Sequence, residues 1–437
     1  MTLHRNIALA GVALLLAGCS GWFGDDSSKK ALPGKRIPVL ALDRSLEADP
    51  RLADVDVRLP RPYRNADWPE TGGTPNHAMH HLSAKGGLAM LWSEDIGDGG
   101  DGMLLAQPII AAGHVFTMDV RAEVRSHDAE TGNLVWRARL APKDADGILG
   151  GGLAWNNGKV YVTTGFADVI ALDGATGREL WRRRVSGPLR AAPTVYSGRV
   201  FVVTIANELF ALDAVDGRVL WNHIGITETA GLLGGASPAA DGNIVVVPYS
   251  SGELFALRIE NGRVIWSDSL SALRRFDPVS SLSHIRGQPV IDRGQVIATS
   301  NSGRTVAIDL RTGSRIWERP IGSNNAPWVA GDFIYMVSSA GDLLCLSRRT
   351  GGVRWVRPLQ HFEDEEDREG PLVWSGPVLA GDRLLVGSSD GQLWSVSPYT
   401  GKLLGIIEAS GGVFIPAAVA NDTVYVLTNK ARLLALR

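Results

Sequence analysis

The feature that most constrains this chain is a unit of about 45 residues that recurs from residue 107 onward. Three copies make it plain: GLAWNNGKVYVTTGFADVIALDGATGRELW at 152–181, APTVYSGRVFVVTIANELFALDAVDGRVLW at 192–221, and ASPAADGNIVVVPYSSGELFALRIENGRVIW at 236–266. Each has the same four parts. A short apolar run is followed by a glycine turn and a β-branched run such as 200–204. A third run ends in Ala-Leu-Asp or a close variant. A Thr-Gly or Asp-Gly turn then leads into a fourth run ending in Trp. Short apolar runs divided by turn residues are the pattern of hairpins. The tryptophans in register are Trp136, Trp181, Trp221, Trp266, Trp317 and Trp355, at spacings of 45, 40, 45, 51 and 38 residues. Four strands per period fit the blades of a β-propeller and exclude a helical solenoid.

First strands are expected to begin near Pro108, Leu153, Pro193, Pro238, Pro289, Pro327, Pro377 and Pro416, which makes eight blades. The 51 glycines suit that many turns. Two copies depart from the pattern. The seventh has Gly405 where Trp belongs, and the eighth ends at Arg437 after three strands. Leu88-Ala89-Met90-Leu91-Trp92 has the character of a fourth strand, Trp included. The expectation is an all-β, eight-bladed propeller of four-stranded antiparallel blades over residues 67–437. Its ring is closed by pairing the N-terminal and C-terminal strands, which removes exposed edges. Trp92 and the six tryptophans above are expected to wedge between blades, where a large apolar plate gains most.

Ahead of the repeats, His4 and Arg5 precede an apolar run of about ten residues, 7–16, too short to cross a bilayer, which takes roughly 20. The run ends in Leu16-Ala17-Gly18-Cys19, which resembles a bacterial lipobox. Residues 1–18 are therefore expected to be a lipoprotein signal peptide and Cys19 the lipidated residue. Ser20 rather than Asp after the cysteine implies sorting to the outer membrane. Acyl chains would anchor the chain there through buried methylenes. Residues 19–66, rich in Pro, Arg and Asp, read as a flexible tether, with 38–42 able to pair at an edge. The second cysteine, Cys345, sits in the apolar run Leu343-Leu344-Cys345-Leu346 and reads as a small buried hydrophobe. The net charge of −2 gives no reason to expect nucleic acid as a partner.

The pattern Ala-Leu-Asp-x-x-Thr-Gly-x-x-x-Trp, met in full at 171–181 and approximately at 308–317, resembles the pyrroloquinoline-quinone (PQQ) repeat of quinoprotein dehydrogenases. Joined to a lipobox and eight blades, it resembles the BamB family of outer-membrane protein assembly factors. That resemblance implies a scaffold without catalytic residues, metal or cofactor, held at the periplasmic face of the outer membrane. Its implied partners are the POTRA-bearing subunit of the β-barrel assembly machinery and unfolded barrel proteins. In the family, two loops meet the partner. The first carries Leu-x-Leu-Arg-Gly; here the stretch is Ala230-Gly231-Leu232-Leu233-Gly234, so Leu232 fits the second leucine and Leu233 replaces Arg. The second loop is acidic in the family and here reads Ser283-His284-Ile285-Arg286. Leu232, Leu233, His284 and Arg286 are the partner-binding candidates. The rival reading is a periplasmic PQQ-dependent oxidoreductase. Most such enzymes also carry a vicinal cysteine pair, whereas Cys345 is the only cysteine after Cys19. A propeller scaffold for other envelope proteins is a third reading.

Other clusters carry weaker signals. His77, His80 and His81 could bind Zn²⁺ or Cu²⁺, but they lie in a polar stretch with no cysteine nearby. Gly97-Asp98-Gly99-Gly100-Asp101-Gly102 has carboxylates on permissive turns without the ligand spacing of an EF-hand. Glu363-Asp364-Glu365-Glu366-Asp367 reads as a solvated loop able to face a basic partner. Arg182-Arg183-Arg184 alternate along a strand and make no single patch, and Arg274-Arg275 flank a blade boundary. No P-loop or H-E-x-x-H is present.

Overall fold

Eight four-stranded antiparallel sheets follow one another along the chain, as the repeat requires. The structure, a computed structural model, describes residues 46–100, 105–143, 145, 150–228, 234–271 and 284–437. Blades 1 to 7 occupy 109–139, 151–184, 194–224, 239–269, 290–319, 328–358 and 374–408, each with its strands paired in chain order. Blade 8 takes three strands from 418–436 and its fourth from Met90–Asp95, which pairs antiparallel with Arg432–Leu436. The ring is thus closed by its two ends. First strands of neighbouring blades touch, so they surround the axis. The apolar clusters lie between blades: Phe116 and Val124 of blade 1 pack with Leu153 and Ile170 of blade 2, and Ile244 of blade 4 with Val296 of blade 5.

The repeat motif is a device for joining blades. In every fourth strand a β-bulge precedes the Trp position. In blade 3, Ala211 faces Trp221 while Leu212 faces Val219, so Leu220 is the extra residue. A bulge re-aims the side chain that follows it. The indole then reaches the next blade and donates to its backbone: Trp92 to Ala129 O (3.2 Å), Trp136 to Gly174 O (3.0 Å), Trp181 to Ala214 O (3.4 Å), Trp221 to Ile259 O (3.0 Å), Trp266 to Leu310 O (2.7 Å), Trp317 to Arg348 O (2.7 Å) and Trp355 to Pro398 O (3.1 Å). Six of the acceptors directly follow the third strand, and Pro398 comes one residue later.

The turn after that strand is shaped to receive the ring. In blades 1, 2 and 5, Asp128, Asp173 and Asp309 accept from both the backbone N–H and the hydroxyl of Thr131, Thr176 and Thr312 at 2.8–2.9 Å. Those bonds hold all three carboxyls below their ordinary pKa. The glycine that follows has positive φ, for example +72° at Gly177 and +71° at Gly217. A Cβ there would come within 2.5 Å of the Trp136 indole or 2.6 Å of Trp181. Positive φ and close approach both demand glycine. Opposite each Trp stands a small residue, among them Ala171, Ala211, Ala256, Ala307, Ser126 and Cys345. This explains Cys345: it is buried across from Trp355, and burial pushes its thiol pKa up.

Gly405 breaks the pattern for a geometric reason. An indole there would seat on the turn between the third and fourth strands of blade 8, but those two strands, Arg432–Leu436 and Met90–Asp95, are not consecutive and no turn joins them. A Cβ on Gly405 meets nothing within 4 Å.

The packed unit begins at Glu47, ahead of the boundary expected at 67. Asp49 N–H donates to Val353 O (2.7 Å), and Arg354 Nε to Val55 O (2.7 Å), on blade 6. From Asn65 the chain then makes a full circuit of the inner strands. Asn65 Nδ2 donates to Val419 O of blade 8, and Trp68 exchanges backbone bonds with Ile110 of blade 1. Pro69 O takes the Trp155 N–H of blade 2, and Glu70 Oε1 the Val195 N–H of blade 3. Pro75 O takes Ala240 N–H of blade 4, and Asn76 O takes Ile291 N–H of blade 5. Trp328 of blade 6 donates to His80 O, and Leu82 bonds Leu379 and Gly381 at blade 7. Ser83 and Lys85 close the circuit on Asp422 of blade 8. This belt is held mainly through backbone groups, which is why its sequence shows no periodicity. It also bridges blades 7 and 8, the one junction without an indole.

These contacts make two substitutions diagnostic. Gly217→Ala should lose about 1–3 kcal/mol, from strained φ and overlap with Trp181. Gly405→Trp should stay within about 0.5 kcal/mol of wild type. Urea unfolding of both variants reads the difference, and equal losses would contradict the joint described here.

Candidate functional site at the axial mouth

The repeats can be aligned on the proline that opens a blade's first strand, taking the residue three places before it. At blades 3, 4, 5 and 6 these positions hold Arg190, Gly235, Arg286 and Asn324. All four line one cavity of about 200 Å³, together with Trp68, His77, Gln288, Trp328 and Phe414. Beside the blade 4 position, a Cβ on Gly234 would lie 3.3 Å from Arg286 Nε. Trp68 of the belt stacks on Trp328 of blade 6, with centroids 6.3 Å apart and planes at 15°.

The structure sorts the sequence candidates. His284 and Arg286 both lie at this mouth; Leu232, Leu233, Arg274-Arg275, Cys19 and residues 38–42 lie outside the described residues. His284 is only 6% exposed, and its imidazole pKa is pushed down to about 4 by burial, then by Arg286 and Arg190. It is neutral at ordinary pH and offers a partner little surface. Arg286 is half-buried and turned into the cavity, and burial lowers its pKa. Arg190 escaped notice in the sequence, although aligning the repeats on their prolines puts it in register with Arg286.

The three belt histidines diverge. His77 Nδ1 bonds Pro289 O at 2.7 Å, His80 Nε2 lies 3.5 Å from Asp292, and His81 bonds Pro60 O at 2.8 Å and takes the Asp382 N–H at 3.2 Å. Among the described residues no group of three His, Cys, Asp or Glu is placed to hold a metal ion. Asp98 pairs with Arg121, and Asp101 lies outside the described residues. The run 363–367 spans the exposed tip of a hairpin made by Phe362–Asp364 and Glu369–Pro371. Arg182 pairs with Asp168 and Glu179, whereas Arg183 donates to Gly217 O, so the arginine run is split as strand alternation requires.

Comparison with known proteins places this architecture. The family model described as outer membrane protein assembly factor BamB matches residues 120–357. The chain belongs to the BamB family. It is 32% identical to BamB of Escherichia coli (strain K12) over 337 residues, covering 76% of this chain and 84% of that protein. It is 30% identical to BamB of Salmonella typhimurium over 338 residues, with the same coverage of both. In fold it matches the crystal structure of BamB from Moraxella catarrhalis (TM-score 0.69, 20% identity, 80% of this chain and all of that one). It also matches quinohemoprotein alcohol dehydrogenase from Comamonas testosteroni (TM-score 0.67, 15% identity, 86% of this chain and 81% of that one). The blade architecture is therefore common to BamB and to the dehydrogenases, and the sequence relatives decide between them.

The belt also carries a titratable anchor. Glu70 is buried, with one oxygen taking the Val195 N–H at 2.9 Å and the other without a partner. Burial raises its pKa from 4.5 to about 8. The folded chain keeps that proton up to about pH 8, while the unfolded chain releases it near 4.5. Stability therefore falls by about 1.4 kcal/mol per pH unit across this window and levels off above it. Glu70→Gln keeps the acceptor and has no proton to lose. Its stability relative to wild type should rise steadily from pH 5 to pH 8 in urea titrations, and a constant difference would contradict the assignment.

Proposed function

We propose that this chain is a non-catalytic scaffold lipoprotein of the outer-membrane β-barrel assembly machinery. It binds the POTRA-bearing barrel subunit and assists insertion of barrel proteins. The observation that carries the reading is membership of the BamB family across the blade repeats, with relatives named as assembly factors. Lipidation at Cys19 would hold the propeller at the periplasmic face. Leu232, Leu233, His284 and Arg286 are the proposed meeting place with the POTRA subunit. Because His284 is buried, its part would be to shape the loop.

Clients are proposed to add strands to the outer blade edges, through backbone bonds that do not depend on their sequence. The bulge before each Trp breaks the edge into halves and so limits pairing to short segments. Blade 7 offers the richest such edge among the described residues, with Leu403, Leu404 and Ile406 all exposed. Met90 and Leu91 are exposed on the outer strand of blade 8 beside it. These two strands flank the junction that has no indole.

Two measurements test this. Tagged protein purified in mild detergent should bring down a POTRA-bearing barrel protein in near-stoichiometric amount by mass spectrometry; its absence would refute the assembly role. Replacing Leu403, Leu404 and Ile406 by Lys should cut capture of an unfolded barrel protein severalfold while leaving the melting temperature within a few degrees. Undiminished capture would remove strand addition at this edge.

A further inference from the structure

Arg286, offered above to the POTRA subunit, is a charge that the fold itself does not account for. Its guanidinium has no hydrogen-bond or ion-pair partner among the described residues. Burial lowers its pKa, the direction expected of a partly buried cation with no anion beside it among the described residues. Such a group costs stability, and folds keep one where it has work to do. Arg190, in register on blade 3, likewise has no side-chain partner among the described residues. Both act on His284, which places them around one space. Among the described residues no carboxylate lines the cavity they share. Glu228 lines the adjoining one and forms no ion pair with either arginine.

The rest of the cavity narrows the ligand. Its walls are apolar where Trp68, Trp328 and Phe414 meet it. Two residues of its lining carry buried acceptors without partners among the described residues, Asn324 Oδ1 and His77 Nε2. His77 donates through Nδ1 to Pro289 O, so Nε2 carries a lone pair. His77 is 5% exposed, and burial pushes its pKa down to about 4, so it stays neutral. Two guanidiniums call for an anion, lone pairs call for an N–H, and paired indoles call for an apolar group. A carboxylate, an N–H and an apolar side group on one small body describe the last residue of a polypeptide.

We propose that the axial mouth binds the C-terminal residue of an extended chain, its carboxylate between Arg190 and Arg286 and its apolar side chain against Trp68 and Trp328. This site is separate from the outer edges and does not depend on strand addition there.

The test is calorimetric titration of the intact protein at low salt with N-acetyl-L-phenylalanine, its uncharged amide, and inorganic phosphate. The acid should saturate one site, with the amide and phosphate each at least tenfold weaker. Arg286→Gln and Arg190→Gln should each weaken the acid at least tenfold and leave the melting temperature unchanged or higher, since an unpaired charge has been removed. Equal binding of acid and amide, phosphate as tight as the acid, unweakened binding by either variant, or no saturable binding would overturn the proposal. A fall in melting temperature in both variants would also overturn it, because the arginines would then be structural.

Discussion

One contact is repeated until it makes a ring: an indole from the outer strand of one blade, seated on the glycine turn of the next and hydrogen-bonded to the carbonyl before it. Seven of the eight junctions use it. The contact explains otherwise unrelated features: the bulge that aims the indole, the small residue facing it, the Asp-Thr bonds that shape the turn, and the glycine that accepts the ring. Each joint combines a buried aromatic plate with a net hydrogen-bond gain of about 1 kcal/mol. No blade can bury its faces alone, so these joints and the apolar clusters beside them make the ring cohere.

The eighth junction shows what happens when the turn is missing. The indole goes with it, and the belt spans the gap: Leu82 is bonded to blade 7, while Ser83, Lys85 and Arg64 converge on Asp422 of blade 8. Those bonds hold the Asp422 carboxyl below its ordinary pKa. The joint has thus been exchanged for a strap, and the outer strands beside it carry much exposed apolar surface.

The blades were legible because their chemistry is local and periodic. Trp221, Gly217 and Asp213 sit at spacings that any copy reveals, and even the closing strand at Trp92 could be found by its likeness to the others. The belt was not legible. Pro69, Pro75 and Asn76 act through main-chain carbonyls, which leave no mark on side-chain pattern, so residues 47–66 read as tether. At the mouth, Arg286 was noticed through a family resemblance, whereas Arg190 was hidden among other arginines. Only the fold shows that the two share a cavity, because what joins them is the angle between blades rather than nearness in sequence.

A ring jointed and strapped in this way should serve its partners as a rigid body. Hydrogen–deuterium exchange across the chain, free and in the copurified assembly, tests this most directly. The account predicts that the inner strands and the belt exchange slowly and equally in both, with protection gained only at the mouth loops and outer strands. Changes spread through the inner strands of several blades, or a belt that exchanges as fast as an unfolded segment, would contradict it.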